Sequence, residues 1–162
     1  MILRSLALLA VAAAPLAAQA PAAASADDRA AVLGVVKQLF DAMRAGDSAA
    51  VRAVFHPRAQ LGSALIGRDG APQVRLDSLA NFIKAVGTPH AEVWDERTDN
   101  ETVHVDGPLA VAWTPYAFYA GKTFSHCGVN SFQLARTAEG WRIVSLVDTR
   151  QRTGCPQQAA PK

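Results

Sequence analysis

Residues Leu109–Arg150 read LAVAWTPYAFYAGKTFSHCGVNSFQLARTAEGWRIVSLVDTR. Valine, isoleucine and aromatic residues crowd three runs, Leu109 to Ala120, Thr123 to Arg136 and Trp141 to Arg150. Gly121-Lys122 and Ala138-Glu139-Gly140 separate them. Such runs between glycine-containing turns mark strands, and turns this short join antiparallel neighbours. Upstream, Val93, Trp94, Val103 and Val105 lie in another long extended run, closed by Asp106-Gly107-Pro108. The expectation is an antiparallel meander of four long strands. Pro115 falls inside one of them and cannot donate to a ladder, which predicts a bulge or an edge there.

Before the meander the periodicity is helical. From Asp27 to Ala45, Val32, Val35, Val36, Leu39, Phe40 and Met43 recur at spacings of three and four, one face of a helix. Asp27 and Asp28 suit its positive N-terminal end, and Gly46 is its stop. Asp47 is the expected cap of a second helix, Ser48 to Phe55, ended by His56-Pro57. Arg58 to Leu65 and Gln73 to Leu76 read as short strands about a Gly67-Arg68-Asp69-Gly70 turn. Asp77 is the expected cap of a third helix, Ser78 to Val86, with Gly87 as its stop. Three helices followed by a curved antiparallel sheet make an α+β domain. Helices packed on the concave side leave a cone-shaped pocket at one end.

The 162 residues fit one domain. Twelve of the first 26 are alanine. Met1-Ile2-Leu3-Arg4, the apolar run Leu6 to Leu16 and Ala18-Gln19-Ala20 form the three-part pattern of a secretory signal peptide. The run falls short of the roughly 20 apolar residues that span a bilayer. The expected domains are a leader over 1–26, a folded unit over 27–155 and a flexible tail over 156–162, with cleavage near residues 20–26. The expected location is the bacterial periplasm or the exterior. A net charge of +2 gives no reason to expect nucleic acid as the partner. Cys127 and Cys155 are the two cysteines. In an oxidising compartment they predict a disulfide, worth roughly 3–4 kcal/mol in the chain-entropy model. The alternative is a reactive thiol at His126-Cys127, but neighbours on a strand face opposite ways.

Three stretches carry a family resemblance. Phe40-Asp41-Ala42-Met43-Arg44-Ala45-Gly46-Asp47 resembles the first-helix ending of the nuclear transport factor 2-like superfamily. Val54-Phe55-His56-Pro57-Arg58-Ala59 is similar to its entry into the first strand, and Glu139-Gly140-Trp141-Arg142-Ile143-Val144 to its penultimate turn and last strand. The likeness runs from about 27 to 151 and points to the branch of ketosteroid isomerase, scytalone dehydratase, polyketide cyclases and putative lumazine-binding proteins. In ketosteroid isomerase a strand carboxylate moves a proton and a first-helix tyrosine stabilises the oxyanion. The resemblance puts Ser63 and Leu39 at those two positions. Neither residue can do that work, so steroid isomerisation is not expected.

Among the polar residues, His126 and Asn130 share strand parity with Phe132 and Leu134 and so face the buried side. They are either a structural hydrogen-bond pair or a polar pair set in an apolar cavity. Asp148 shares parity with Val144 and Leu146 and could orient His126, pair with Arg150 or end the sheet at the water. Trp113, Tyr116, Phe118 and Tyr119 are core packing or pocket lining, and alternation lets at most half face one cavity. His56 is a helix-end cap or a pocket residue. The candidate catalytic residues are therefore His126 and Asp148. The candidate ligand-binding set is His126, Asn130, Trp113, Tyr116, Phe132 and His56. The four histidines lack metal-ligand spacing, so neither a metal nor a cofactor is expected. The expected function is export and binding of a small hydrophobic ligand. The alternatives are a lyase or isomerase using His126 and Asp148, which requires the two within hydrogen-bond reach, and a non-catalytic homodimer formed through the sheet.

Overall fold

The computed structural model describes residues 25–155. The expected leader lies outside the described residues except for Ser25 and Ala26, and the expected tail at 156–162 lies outside them entirely.

Helix α1, Ala26–Ala45, buries the predicted stripe of Val32, Val35, Val36, Leu39, Phe40 and Met43. Ser25 caps it by accepting the Asp28 N–H at 3.0 Å. Gly46 ends it at φ 67°, a left-handed turn in which Asp47 N–H reaches the Ala42 carbonyl and Gly46 N–H reaches Met43. Asp47 then caps α2, Ser48–Val54, accepting the N–H groups of Ala49 and Ala50 at 3.0 and 2.9 Å. Helix α3, Leu79–Gly87, differs from expectation at both ends. Its cap is Ser78, which accepts the Asn81 N–H, while Asp77 instead accepts from Asn81 Nδ2. Gly87 remains inside the helix. A Cβ there would sit 2.9 Å from the Ser48 side chain, so glycine permits α3 to close on α2 rather than turning the chain.

Seven strands follow or interleave: β1 Phe55–Ile66, β2 Pro72–Ser78, β3 Trp94–Thr98, β4 Thr102–Asp106, β5 Leu109–Ala120, β6 Thr123–Thr137 and β7 Gly140–Thr149. They form one sheet in the order β2-β1-β7-β6-β5-β3, with β4 also on β5. The antiparallel meander holds from β5 to β7, but β1 joins β7 in parallel. The second helix ends earlier than predicted, and His56 and Pro57 already belong to β1.

The long run before β5 breaks in two at Asp99–Glu101, where Asn100 takes φ 56°. The break faces Pro115. In an antiparallel ladder a residue's N–H and C=O face the same neighbour. The Pro115 carbonyl accepts from the Asp99 N–H at 3.2 Å, so its missing N–H falls at the interruption. Pairing steps from Phe118↔His126 to Tyr119↔Phe124, which leaves Ser125 as a bulge, and a second irregularity lies at Val144. Bulges bend the strand that carries them. Val32, Leu39, Phe132, Leu134 and Ile143 are fully buried between α1 and the curved sheet.

Candidate functional site

The concave face of the sheet, α1 and α3 line a partly open cavity of about 430 Å³. Its apolar walls mix aliphatic residues, Leu39 and Met43 of α1 among them, with Phe40 of α1, Phe82 of α3, Trp94 of β3 and Phe118 of β5. Its polar groups come from the same alternation that buries the core. Glu96, Phe118 and His126 lie in one cross-strand row, and Arg75, Ser63, Asp148 and Asn130 in another. Tyr116 lies between the rows, directly opposite Gly128. A Cβ at Gly128 would come within 3.0 Å of the Tyr116 ring and 1.9 Å of the Thr149 carbonyl. The missing side chain lets Tyr116 lie across β6 and donate to the Thr149 carbonyl at 2.9 Å, with its hydroxyl 3.4 Å from Asp148 Oδ2.

The hydrogen bonds are specific. Asn130 Nδ2 donates to Glu96 Oε1 at 2.6 Å. Arg150 Nε donates to Asp148 Oδ2 at 2.6 Å, while the buried Asp148 Oδ1 has no protein partner among the described residues. Burial pushes the Glu96 carboxyl up to about 7; the Asn130 bond opposes this, and the nearby Asp148 adds to it. Burial and then the Asp148 and Glu96 charges raise the Tyr116 phenol. Burial and then the Arg150 charge hold His126 below its ordinary value, which favours neutral imidazole.

Four of the expected residues, His126, Asn130, Tyr116 and Asp148, meet in this cavity. No hydrogen bond joins His126 to Asp148. Asp148 is held by Arg150, whereas His126 stacks on Phe118 with centroids 5.0 Å apart and places Nδ1 3.0 Å from Ser125 Oγ. The expected orienting pair is therefore absent from this geometry. Three other candidates do not line the cavity. Trp113 faces outward, 50 % exposed, because its neighbours Ala112 and Thr114 take the buried face. Phe132 has the inward parity but is consumed by packing, edge-on to Phe40 at 6.2 Å. His56 sits at the α2–β1 junction, where Nδ1 accepts the Arg58 N–H. Leu39 and Ser63, the positions the resemblance singled out, both line the cavity, and neither supplies an acid or a phenol.

Glu96 escaped the sequence reading. The available signal was its parity with Trp94 on a short strand, which put a carboxylate on the same face as a large aromatic. The disulfide is present, Cys127 to Cys155, on the opposite parity from His126. Gln151 pairs with Cys127 through both backbone bonds, each 2.9 Å, which extends the β6–β7 ladder and draws the chain after Arg150 along the sheet.

The family model described as putative lumazine-binding matches residues 27–147. The chain belongs to the putative lumazine-binding family. Solved structures of nuclear transport factor 2-like proteins share the fold of this family member. A Nostoc punctiforme protein of unknown function with a cystatin-like fold is 10 % identical, with a TM-score of 0.64 over 80 % of this chain and 95 % of that one. A nuclear transport factor 2-like protein of Novosphingobium aromaticivorans is 18 % identical, with a TM-score of 0.62 over 79 % and 84 %. A Streptomyces avermitilis protein described as a putative dehydratase of the nuclear transport factor 2-like family is 15 % identical, with a TM-score of 0.60 over 78 % and 98 %. At these identities the likeness is one of fold. No curated protein matches this family member in sequence.

Proposed function

We propose that this lumazine-binding family member is an exported small-molecule-binding protein that takes a compact, planar, largely apolar ligand between α1 and the concave sheet. The observation that carries the reading is the cavity of about 430 Å³, whose walls are largely apolar and whose polar groups come from the sheet side. Ligand sites are concave, mainly apolar and oriented by a few polar groups, and this volume suits a molecule of one to three rings. The family's description supports a flat heteroaromatic guest. Export is supported by the leader pattern and by the disulfide.

Native mass spectrometry of protein isolated from its own compartment tests this reading. A retained small molecule, lost on Phe40→Arg substitution, is the expected result. A protein that is free of ligand as isolated, and whose Trp94 fluorescence no planar aromatic compound alters, overturns it.

A specific observation favours a second reading, an acid–base lyase or isomerase. It is the Glu96 carboxyl near 7 inside the cavity, which could hold or release a proton at physiological pH. In this reading Glu96, not the separated His126 and Asp148, moves the proton. Turnover that follows ionisation of Glu96 and disappears in Glu96→Gln would favour it. A homodimer through the outer face of the sheet is supported by Trp113 and Val147, 50 % and 39 % exposed and both on that face. Sedimentation at micromolar concentration tests it, and a monomer throughout removes it.

A further inference from the structure

We infer that the cavity takes its planar guest as a carboxylate, with the apolar body toward Leu39 and Phe40 and the carboxylate held at the rim by the guanidinium groups of Arg75 and Arg150. This rests on the reading of the cavity as a binding site and names the class of ligand it takes.

Strand β2 carries the first part of the argument. A strand beside a core ordinarily turns its apolar residues inward. On β2 they turn outward. Val74 and Leu76 are 74 % and 77 % exposed, whereas Arg75 and Asp77 line the cavity. The pairing with β1 fixes these faces, since directly opposed residues share one. Arg75 stands opposite Ser63, and Asp77 stands opposite Leu61, which is buried on the concave side. A slip of one residue would bring Val74 and Leu76 over the cavity and send Arg75 into the solvent. The register in place puts a fixed positive charge on the cavity face at an edge strand that is exposed along its length.

The second part is how the rim charges are held. Arg75 forms no ion pair with any described residue. Asp77, two residues along, instead has Oδ1 on the Ser78 N–H and on Asn81 Nδ2 at the start of α3. Arg150, just after β7, donates Nε to Asp148 Oδ2 at 2.6 Å. That bond orients the guanidinium, and its two terminal nitrogens bond to no described residue. The Arg150 side chain is 54 % exposed. Only β1 separates β2 from β7, so at ordinary strand spacing the two arginine Cα atoms lie roughly 12 Å apart, a span two long side chains can close. The Ser63 hydroxyl lies on the intervening strand and adds a donor.

The guanidinium fork matches a carboxylate, and a guest bound there displaces water rather than a protein partner. The opposite orientation is disfavoured. Deeper in the cavity Asn130 is engaged by Glu96 and the Tyr116 hydroxyl by the Thr149 carbonyl, and the carboxyls of Glu96 and Asp148 would repel an anion stripped of its water. Leu39, Phe40 and Phe118 suit the apolar end.

The test is calorimetry near neutral pH on the oxidised mature protein with three bicyclic probes of one shape: 2-naphthoate, 2-naphthamide and 2-naphthamidine. In dilute buffer the naphthoate is expected to bind at least about tenfold more tightly than the naphthamide, and added salt is expected to narrow that ratio because rim charges are screened. Arg75→Gln, at an exposed edge position, is expected to lower naphthoate affinity about fivefold and to narrow the same ratio. Arg52→Gln removes an equal charge from α2, outside the cavity, and is expected to leave the ratio as it was. Equal binding of naphthoate and naphthamide, tighter binding of the amidine, or equal effects of the two substitutions overturns the carboxylate inference and leaves the binding-site reading standing. Failure of all three probes to bind overturns both.

Discussion

Asn130 Nδ2 donates to Glu96 Oε1 over 2.6 Å, so β6 is tied to β3 across the concave face of the intervening β5. The bond satisfies one oxygen of a carboxyl that is otherwise turned into an apolar cavity. Because it stabilises the charged form, it restrains the upward shift that burial imposes on Glu96. Asn130→Ala is therefore expected to move the Glu96 titration above about 7. Carbon-detected NMR of the Glu96 carboxyl across the neutral range checks this. A downward or absent shift would show that the bond does not govern the ionisation.

Glu96 also makes stability fall as pH rises. Its folded pKa, about 7, exceeds its reference value of 4.5. Between those values the folded state holds more protons than the unfolded state, so stability drops through that window and is lowest above it. The difference amounts to the order of 3 kcal/mol. Glu96→Gln removes the titration and keeps an acceptor for Asn130. The variant is expected to match wild type near about pH 4 and to exceed it by roughly 1–3 kcal/mol near about pH 8. Urea midpoints at the two pH values measure this, and a wild-type advantage at the higher pH would contradict it.

Two glycines make opposite predictions. At Gly128 an added Cβ would lie 1.9 Å from the Thr149 carbonyl and 3.0 Å from the Tyr116 ring. Gly128→Ala is expected to cost about 2–4 kcal/mol and to displace Tyr116 from the cavity wall. Gly34, inside α1, has open space around it, with nothing within 4 Å of where a methyl group would stand. Gly34→Ala is expected to stabilise by roughly 0.5–1 kcal/mol through lower unfolded-state entropy. Thermal unfolding of the two variants side by side is the measurement.

The disulfide closes a loop of 28 residues. In the chain-entropy model its loss costs about 3–4 kcal/mol. Cys127→Ser with Cys155→Ser is expected to lower the unfolding midpoint accordingly and to make the protein indifferent to reductant. It is also expected to loosen the Gln151 pairing with Cys127, seen as faster amide exchange at both residues. Unchanged exchange would place the order of that segment in the strand pairing alone.

Local chemistry made much of the fold legible. The stripe on α1, the Gly46-Asp47 junction and the short turns around β5, β6 and β7 are read from neighbours a few residues apart, and each forms as expected. The errors arise where a distant contact overrides a local signal. Gly87 resembles a helix stop, but the approach of α2 to α3 accounts for it. The parallel seating of β1 on β7 joins segments some eighty residues apart, and no pattern within either strand announces it. Pro115 did announce an interruption, because its missing donor has to face a gap wherever the strand is placed.

The site divides in the same way. Alternation along a strand is a local property, so the sequence alone determined that His126, Asn130 and Phe132 share a face and that Cys127 takes the other. It could not determine which inward residues meet open space and which meet another side chain. That depends on how sharply the sheet curves and on which residue of α1 lies above each strand position. Phe132 lies against Phe40 and becomes core, whereas Asn130, two residues away, reaches over β5 to Glu96. Only the tertiary structure brings Glu96 to Asn130 and gives Asp148 to Arg150 rather than His126, because those partners come from different strands and the curvature of the sheet sets the distances between them.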